Sequence, residues 1–158
     1  MRVAIVNGPN LGQLGCREPS LYGTETLSGI LARVRAYAAE RDVEVEDFQS
    51  NHEGALIDFL EERGPLLDGV VLNAGALTHY GLSLRDAVAA LRCPVVEVHL
   101  TNVHRREPFR RRSVLSAVSA GQIVGFGAPG YLLAIDGLLA LHARGVDAAT
   151  SNKGGEAP

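Results

Sequence analysis

Lysine is nearly absent from this 158-residue chain: of its 15 basic residues all but Lys153, in the C-terminal tail, are arginine. With no lysine in the body of the sequence, Schiff-base and pyridoxal chemistry have no amine to use, and a Walker A loop has no lysine to reach a phosphate. Cysteine is scarce too. Cys16 and Cys93 stand in unrelated contexts without C-x-x-C spacing, which fits a reducing compartment and argues against a zinc cluster. The five histidines show neither H-x-x-x-H nor H-E-x-x-H spacing, so no metal site is expected. Charge of one sign is lacking: 15 basic against 18 acidic residues leave a net charge of −3, which removes the electrostatic drive for nucleic acid. No apolar run approaches the roughly 18 residues of a membrane span, and the opening Met1-Arg2-Val3-Ala4-Ile5-Val6 is too soon interrupted for a signal peptide. The expectation is a cytoplasmic protein with no membrane and no nucleic-acid partner.

What is present is a regular alternation. Residues 2–7 are β-branched and stop at Gly8-Pro9-Asn10, as a buried strand does at a turn. Leu27, Ile30, Leu31, Val34, Tyr37 and Ala38 recur at helical spacing after a candidate N-cap, Thr24. Further strands are expected at 43–48, 69–73, 94–99 and 122–126. Capping boxes at Ser50/Glu53 and Ser83/Asp86 would open helices through Leu56, Ile57 and Leu60 and over 83–91, and a last helix would span 131–144. Such alternation implies a flavodoxin-like three-layer α/β sandwich on a five-stranded parallel sheet, a single domain over residues 1–145 with a long loop at about 8–24, of the kind that often serves as a lid. Residues 146–158 are small and polar and are expected to be disordered. With 46% apolar residues, a chain this long buries about 70% of its unfolded surface without staples.

Parallel sheets bind ligands beyond the carboxyl ends of their strands, so residues 7–10, 73–79 and 97–102 should share a crevice. Glu97 and His99, two apart on one strand, point to the same face. Glu97 can accept from one ring nitrogen of His99 and leave the other for acid–base work, or the pair is a structural hydrogen bond. In the long loop, Arg17 could lower the pKa of the Tyr22 phenol by two or three units, roughly 3 to 4 kcal/mol, and make it a base; a tyrosine packed at the loop edge is the bland alternative. Five arginines between His104 and Arg112 form a solvated or interface face from which one or two could hold a carboxylate. Asn73, His79 and Asp86 offer donors and acceptors to a polyhydroxylated ligand. Gly125-Phe126-Gly127-Ala128-Pro129-Gly130 matches G-x-G-x-x-G, but a dinucleotide site lacks a following strand and a scaffold for the ribose-binding acid.

Taken together, the blocks Asn7-Gly8-Pro9-Asn10-Leu11-Gly12, Arg17-Glu18-Pro19 with Tyr22-Gly23, Gln49-Ser50-Asn51-His52-Glu53-Gly54, Asn73-Ala74-Gly75-Ala76 with Thr78-His79, and Glu97-Val98-His99 through Asn102-Val103-His104, Arg106-Glu107 and Phe109-Arg110 resemble the type II 3-dehydroquinate dehydratases (type II dehydroquinases) of the shikimate and quinate pathways. The resemblance implies loss of water from 3-dehydroquinate through an enolate, with no cofactor, metal or Schiff base, and a dodecamer assembled as a tetramer of trimers. It implies Tyr22 as the base at C2, Arg17 as the cation that keeps it reactive, His99 as the acid at the leaving C1 hydroxyl, Glu97 as its orienter and Asn10 as a stabiliser where enolate charge develops. It implies ligand contacts from Asn73, His79, Asp86, Leu100, Thr101 and Arg110. The chain departs from the family pattern at Tyr80-Gly81, at Thr101 where serine is common and at Arg112 where histidine is frequent, and Tyr80 is expected to narrow the crevice. The competing class is a non-catalytic flavodoxin-like binding module that kept the crevice and lost turnover.

Overall fold

The computed structural model describes residues 1–16 and 24–145. Five strands, β1 (Arg2–Asn7), β2 (Glu44–Gln49), β3 (Gly69–Asn73), β4 (Val95–His99) and β5 (Gly121–Val124), alternate with four α-helices, α1 (Leu27–Ala39), α2 (Glu53–Arg63), α3 (Leu82–Ala90) and α4 (Pro129–Ala143). No separate helix divides β4 from β5 beyond short 3-10 turns. All strand pairs are parallel, in the order β2-β1-β3-β4-β5. The chain reverses its direction of growth between β1 and β3, so a crevice opens above their carboxyl ends.

Strand alternation sorts the core into two layers. Val3, Ile5, Val71, Val96 and Val98 pack under α1 and α4, whereas Ala4, Val6, Val70, Leu72 and Val95 pack under α2 and α3. The three central strands are buried on both faces and read as continuous apolar runs. The edge strand β2 instead carries charge, Glu46 paired to Arg63 at 2.8 Å and Asp47 to Arg35, which blunts the open edge against pairing with another chain.

The helix caps differ from those expected. Thr26, not Thr24, caps α1, its hydroxyl accepting from the Gly29 amide at 3.2 Å. Neither predicted capping box forms. Ser50 accepts from His52 N at 3.0 Å in a local turn, and Glu53 reaches across to accept from Leu84 N at 3.1 Å, so one helix's first acidic residue satisfies the first turn of the next. Gly81 takes the N-cap position of α3 and Ser83 lies inside the helix. β5 begins one residue earlier than expected and ends at Val124, because Gly125 adopts φ +90°. α4 begins at Pro129, where a fixed φ and a missing N–H suit the first turn. The expected disorder of 146–158 and residues 17–23 of the expected lid fall outside the described residues.

Candidate active site

The crevice forms where three strand ends meet. At the end of β1, Gly8 N donates to Asn73 O at 2.8 Å, and a Cβ on Gly8 would lie 2.5 Å from the Ala74 carbonyl oxygen, so only glycine lets the two strand ends approach this closely. Asn10 follows with φ 68°, a conformation asparagine tolerates better than most residues. Its amide donates to Asn51 Oδ1 at 2.9 Å, while Gln49 Nε2 donates to Gly8 O at 3.3 Å and to Asn51 Oδ1 at 3.2 Å. The last residue of β2 and Asn51 just beyond it thus hold the turn after β1 from the side, and Asn10 lines the crevice.

From the end of β3 comes Asn73, and from the 3-10 turn after it, Gly75–His79, comes His79. Asn73 is 3% exposed. The Arg112 carbonyl lies 2.8 Å from His79 Nδ1 and accepts its hydrogen, which leaves Nε2 as the free nitrogen of that ring. Only the backbone of Arg112 makes this contact, so a histidine there would serve His79 no better. From β4 and the segment after it come His99, Leu100, Thr101, Arg106 and Arg110. Thr101 Oγ1 accepts from Arg106 Nη2 at 2.8 Å, a contact any hydroxyl could make, which accounts for the tolerance of threonine where serine is common. Arg110 stacks near the Phe109 ring at 5.4 Å, and its Nε lies 3.4 Å from Glu107 Oε2 without hydrogen-bond geometry. The crevice holds about 190 Å³, below the roughly 300 Å³ at which drug-sized pockets begin, and suits a single small ring.

The chemistry centres on β4. His99 Nε2 lies 2.8 Å from Glu97 Oε1, with His99 6% exposed and Glu97 fully buried. A carboxylate can only accept, so Nε2 carries the hydrogen and Nδ1 is left for proton exchange. Three more donors converge on Glu97: the Thr78 hydroxyl on Oε1, the Ser113 hydroxyl at 2.9 Å from Oε2, and the Gln122 amide on Oε2. Burial alone pushes the Glu97 carboxyl up, but hydrogen bonds from His99, Thr78 and Gln122 and the attraction of His99 outweigh it and hold the carboxyl below its ordinary range. Glu97 is therefore a charged anchor that fixes the tautomer and plane of an imidazole at the crevice.

The structure gathers Asn10, Asn73, His79, His99, Leu100, Thr101 and Arg110 around one crevice, with Glu97 directly behind His99. Asp86 is not among them: it stands exposed on α3 beside Arg85, 3.4 Å away. Arg17 and Tyr22 lie outside the described residues. Tyr80 is 64% exposed and forms no part of the crevice wall, contrary to the expectation that it narrows the site. Sequence reasoning missed Arg106 as a crevice residue and the three supports of Glu97. Gln122 sits beside Glu97 in the β4–β5 register, a relation readable only once the strand order is known. The glycine motif is a tight exit from β5, with φ of +90° at Gly125 and +62° at Gly127; it contributes nothing to the crevice wall, and no strand follows α4 among the described residues. Nor do the described residues hold any cluster of three or more histidine, cysteine or acidic side chains fit for a metal ion.

A family profile, Dehydroquinase class II, matches residues 1–139 of the 158 in the sequence. The chain belongs to the class II dehydroquinase family. It is similar to the 3-dehydroquinate dehydratase of Roseiflexus castenholzii, at 54% identity over 92% of each chain, and to that of Halothermothrix orenii, at 49% identity over 91% of this chain and 97% of the relative. Among solved structures, the type II dehydroquinase of Butyrivibrio crossotus superposes with a TM-score of 0.86 at 45% identity, covering 88% of this chain and 97% of the other. The class II dehydroquinase assignment thus spans both the sheet and the crevice.

Proposed function

We propose that the chain is a 3-dehydroquinate dehydratase, a hydro-lyase that converts 3-dehydroquinate to 3-dehydroshikimate and water, reversibly and through an enolate, within the shikimate or quinate pathway. The observation that carries this reading is the buried Glu97–His99 pair at the crevice floor, a fixed imidazole with Nδ1 uncommitted, set among arginines and amides suited to a polyhydroxylated carboxylate. A hydrogen next to a ketone is weakly acidic, so a base must remove it while charge on the carbonyl oxygen is stabilised. Tyr22 takes the C2 proton as phenolate, kept reactive by Arg17, and Asn10 stands where the enolate oxygen develops charge. The electron pair of the enolate then returns to form the C1–C2 double bond as the C1–O bond breaks, and His99 delivers a proton from Nδ1 to the departing hydroxyl. Tyr22 ends protonated and His99 neutral, and one proton passed back between them or through solvent restores the starting state.

Support for placing Tyr22 and Arg17 here comes from the described residues on either side of them. Leu14 lines the crevice, and a Cβ on Gly15 would lie 2.9 Å from Thr24 O, so the chain leaves and re-enters the described structure at one place on the crevice rim. On this reading Arg17 and Tyr22 belong to a lid on the single domain of residues 1–145, in the loop at about 8–24 whose first part is anchored by the buried Leu11 and Leu14. Arg110, with Arg106 beside it, takes the substrate carboxylate; Asn73, His79, Leu100 and Thr101 take its hydroxyls. The reading extends to the family's assembly, a dodecamer as a tetramer of trimers, and to a cytoplasmic location. Tyr80, Leu82 and Phe109, each more than 60% exposed, provide apolar surface for such contacts, and Asp86 would meet substrate only in a neighbouring copy's crevice. No helix among the described residues is long and apolar enough to cross a membrane.

The test is growth of enone absorbance when purified protein meets 3-dehydroquinate, repeated with EDTA and after borohydride treatment. Turnover surviving both is expected. Folded protein that produces no enone would overturn the assignment.

A further inference from the structure

Beneath the crevice three polar side chains are sealed between the sheet and α4. Tyr131, in the first turn of α4, and Asn7, at the end of β1, have no exposed surface, and Asn73 at the end of β3 has almost none. The Tyr131 hydroxyl lies 2.6 Å from Asn7 Oδ1 and 2.9 Å from Asn73 Nδ2. A phenol has one hydrogen. Donated to Asn7 Oδ1, it leaves the phenol oxygen to accept from Asn73 Nδ2. At the other end Asn73 Oδ1 accepts from Gly75 N at 3.3 Å.

These contacts set the polarity of Asn73 from both sides. Reversing both amides would give Asn7 Nδ2, which has no hydrogen-bond partner, a place on the phenol oxygen. The same reversal would turn the Asn73 amide nitrogen toward the Gly75 N–H, two donors face to face, and a buried donor left in that state is costly. Burial also pushes the Tyr131 phenol up, so it keeps the hydrogen the relay needs. With one Oδ1 lone pair and one Nδ2 hydrogen engaged, Asn73 keeps its second Nδ2 hydrogen and the second lone pair of Oδ1 for other partners, and it is a residue of the crevice wall.

We propose that Tyr131 is a positioning residue for the dehydratase reaction, locking the Asn73 side-chain amide in the orientation that presents its second N–H to an oxygen of the bound substrate. The proposal rests on the function argued above and adds to it a determinant of substrate recognition on α4, far in sequence from the strand ends. A relay of this kind acts on binding through Asn73 alone. It leaves the Tyr22 and His99 steps intact once substrate is seated.

The experiment compares wild type, Tyr131→Phe, Asn73→Ala and the double variant by KM and kcat for 3-dehydroquinate, with thermal unfolding of each as a check on folding. Loss of one neutral hydrogen bond to substrate corresponds to about tenfold in KM, and kcat should stay within about threefold of wild type. In the Asn73→Ala background, removal of the Tyr131 hydroxyl should change KM by less than about twofold, because the group it orients is gone. Equal factors in both backgrounds, or a Tyr131→Phe variant with wild-type KM, would overturn the relay. Asn7→Ala, which removes the acceptor of the phenol hydrogen without touching the crevice wall, should raise KM in the same direction, and it decides the matter should Tyr131→Phe not fold. A wild type that does not turn over at all would defeat the dehydratase reading itself, an outcome distinct from normal turnover that is indifferent to Tyr131.

Discussion

Replacing Glu97 by glutamine removes one charge from the core and changes little in shape, which makes it the sharpest probe of how His99 is held. Oε1 accepts from His99 and Thr78, Oε2 from Gln122, and Ser113 lies within reach of both. A glutamine must put its NH₂ group in place of one oxygen. Against Oε2 it faces the Gln122 amide nitrogen; against Oε1 it faces the His99 ring nitrogen and Thr78. The first costs less, since it spares the histidine, and loses about one charge-assisted bond, so the variant should be destabilised by about 1–3 kcal/mol at neutral pH. Without the carboxylate, the imidazolium that forms during the cycle loses its counter-charge, and kcat should fall by about 10²- to 10³-fold, within the range of a positioned acid–base group. The penalty depends on pH. Because the Glu97 carboxyl titrates in the folded state below its ordinary value of about 4.3, its contribution is fully present above that pH and is lost as pH falls through the folded value. Urea unfolding of both proteins from pH 7 down to pH 3 should therefore show the gap between them closing in the acid range. A Glu97→Gln protein with near-normal kcat, or a stability gap that does not change with pH, would refute the reasoning.

Further outcomes follow from single contacts. Tyr22→Phe should lower kcat by about 10²- to 10⁴-fold with unfolding unchanged, as measured by enone formation, if the phenol is the base. Gly8→Ala forces a methyl into the Ala74 carbonyl and should destabilise the fold by about 1–3 kcal/mol in chemical denaturation while raising KM, because the junction of β1 and β3 underlies the crevice. Leu138→Ala, at a fully buried position on α4, should cost about 2–5 kcal/mol and lower Tm while leaving kcat near wild type. Tyr80→Thr should leave KM within about twofold, since the exposed ring stands clear of the crevice wall.

The strands and helices were legible in the sequence because each carries a recognisable apolar pattern, a continuous run in the buried strands and a stripe in helices such as α1. Runs such as Val70-Val71-Leu72 announce a strand buried on both faces, and Leu27, Ile30, Leu31 and Val34 announce one helical stripe. The caps were legible only in part, because Glu53 satisfies a neighbouring helix, which no local pattern encodes. Of the site, Glu97 and His99 could be paired from spacing alone, since two residues on one strand must share a face. Resemblance, not spacing, singled out Asn10, Thr101 and Arg110. Thr78, Ser113, Gln122 and Tyr131 were invisible for a physical reason: each reaches its partner across strands or layers, over separations of 16 to 124 residues. Asp86 shows the converse, a position suggested both by its place after the third strand and by resemblance that this chain's own crevice does not include.

The division of labour between a base at C2 and an acid at C1 is tested most directly by following 3-dehydroquinate in D₂O by proton NMR with wild type, His99→Ala and Tyr22→Phe. Wild type should form 3-dehydroshikimate. His99→Ala should exchange the C2 hydrogen for deuterium while losing elimination, and Tyr22→Phe should lose both. Folded wild type that neither exchanges nor eliminates, or a Tyr22→Phe protein that still exchanges C2 at the normal rate, would contradict the account.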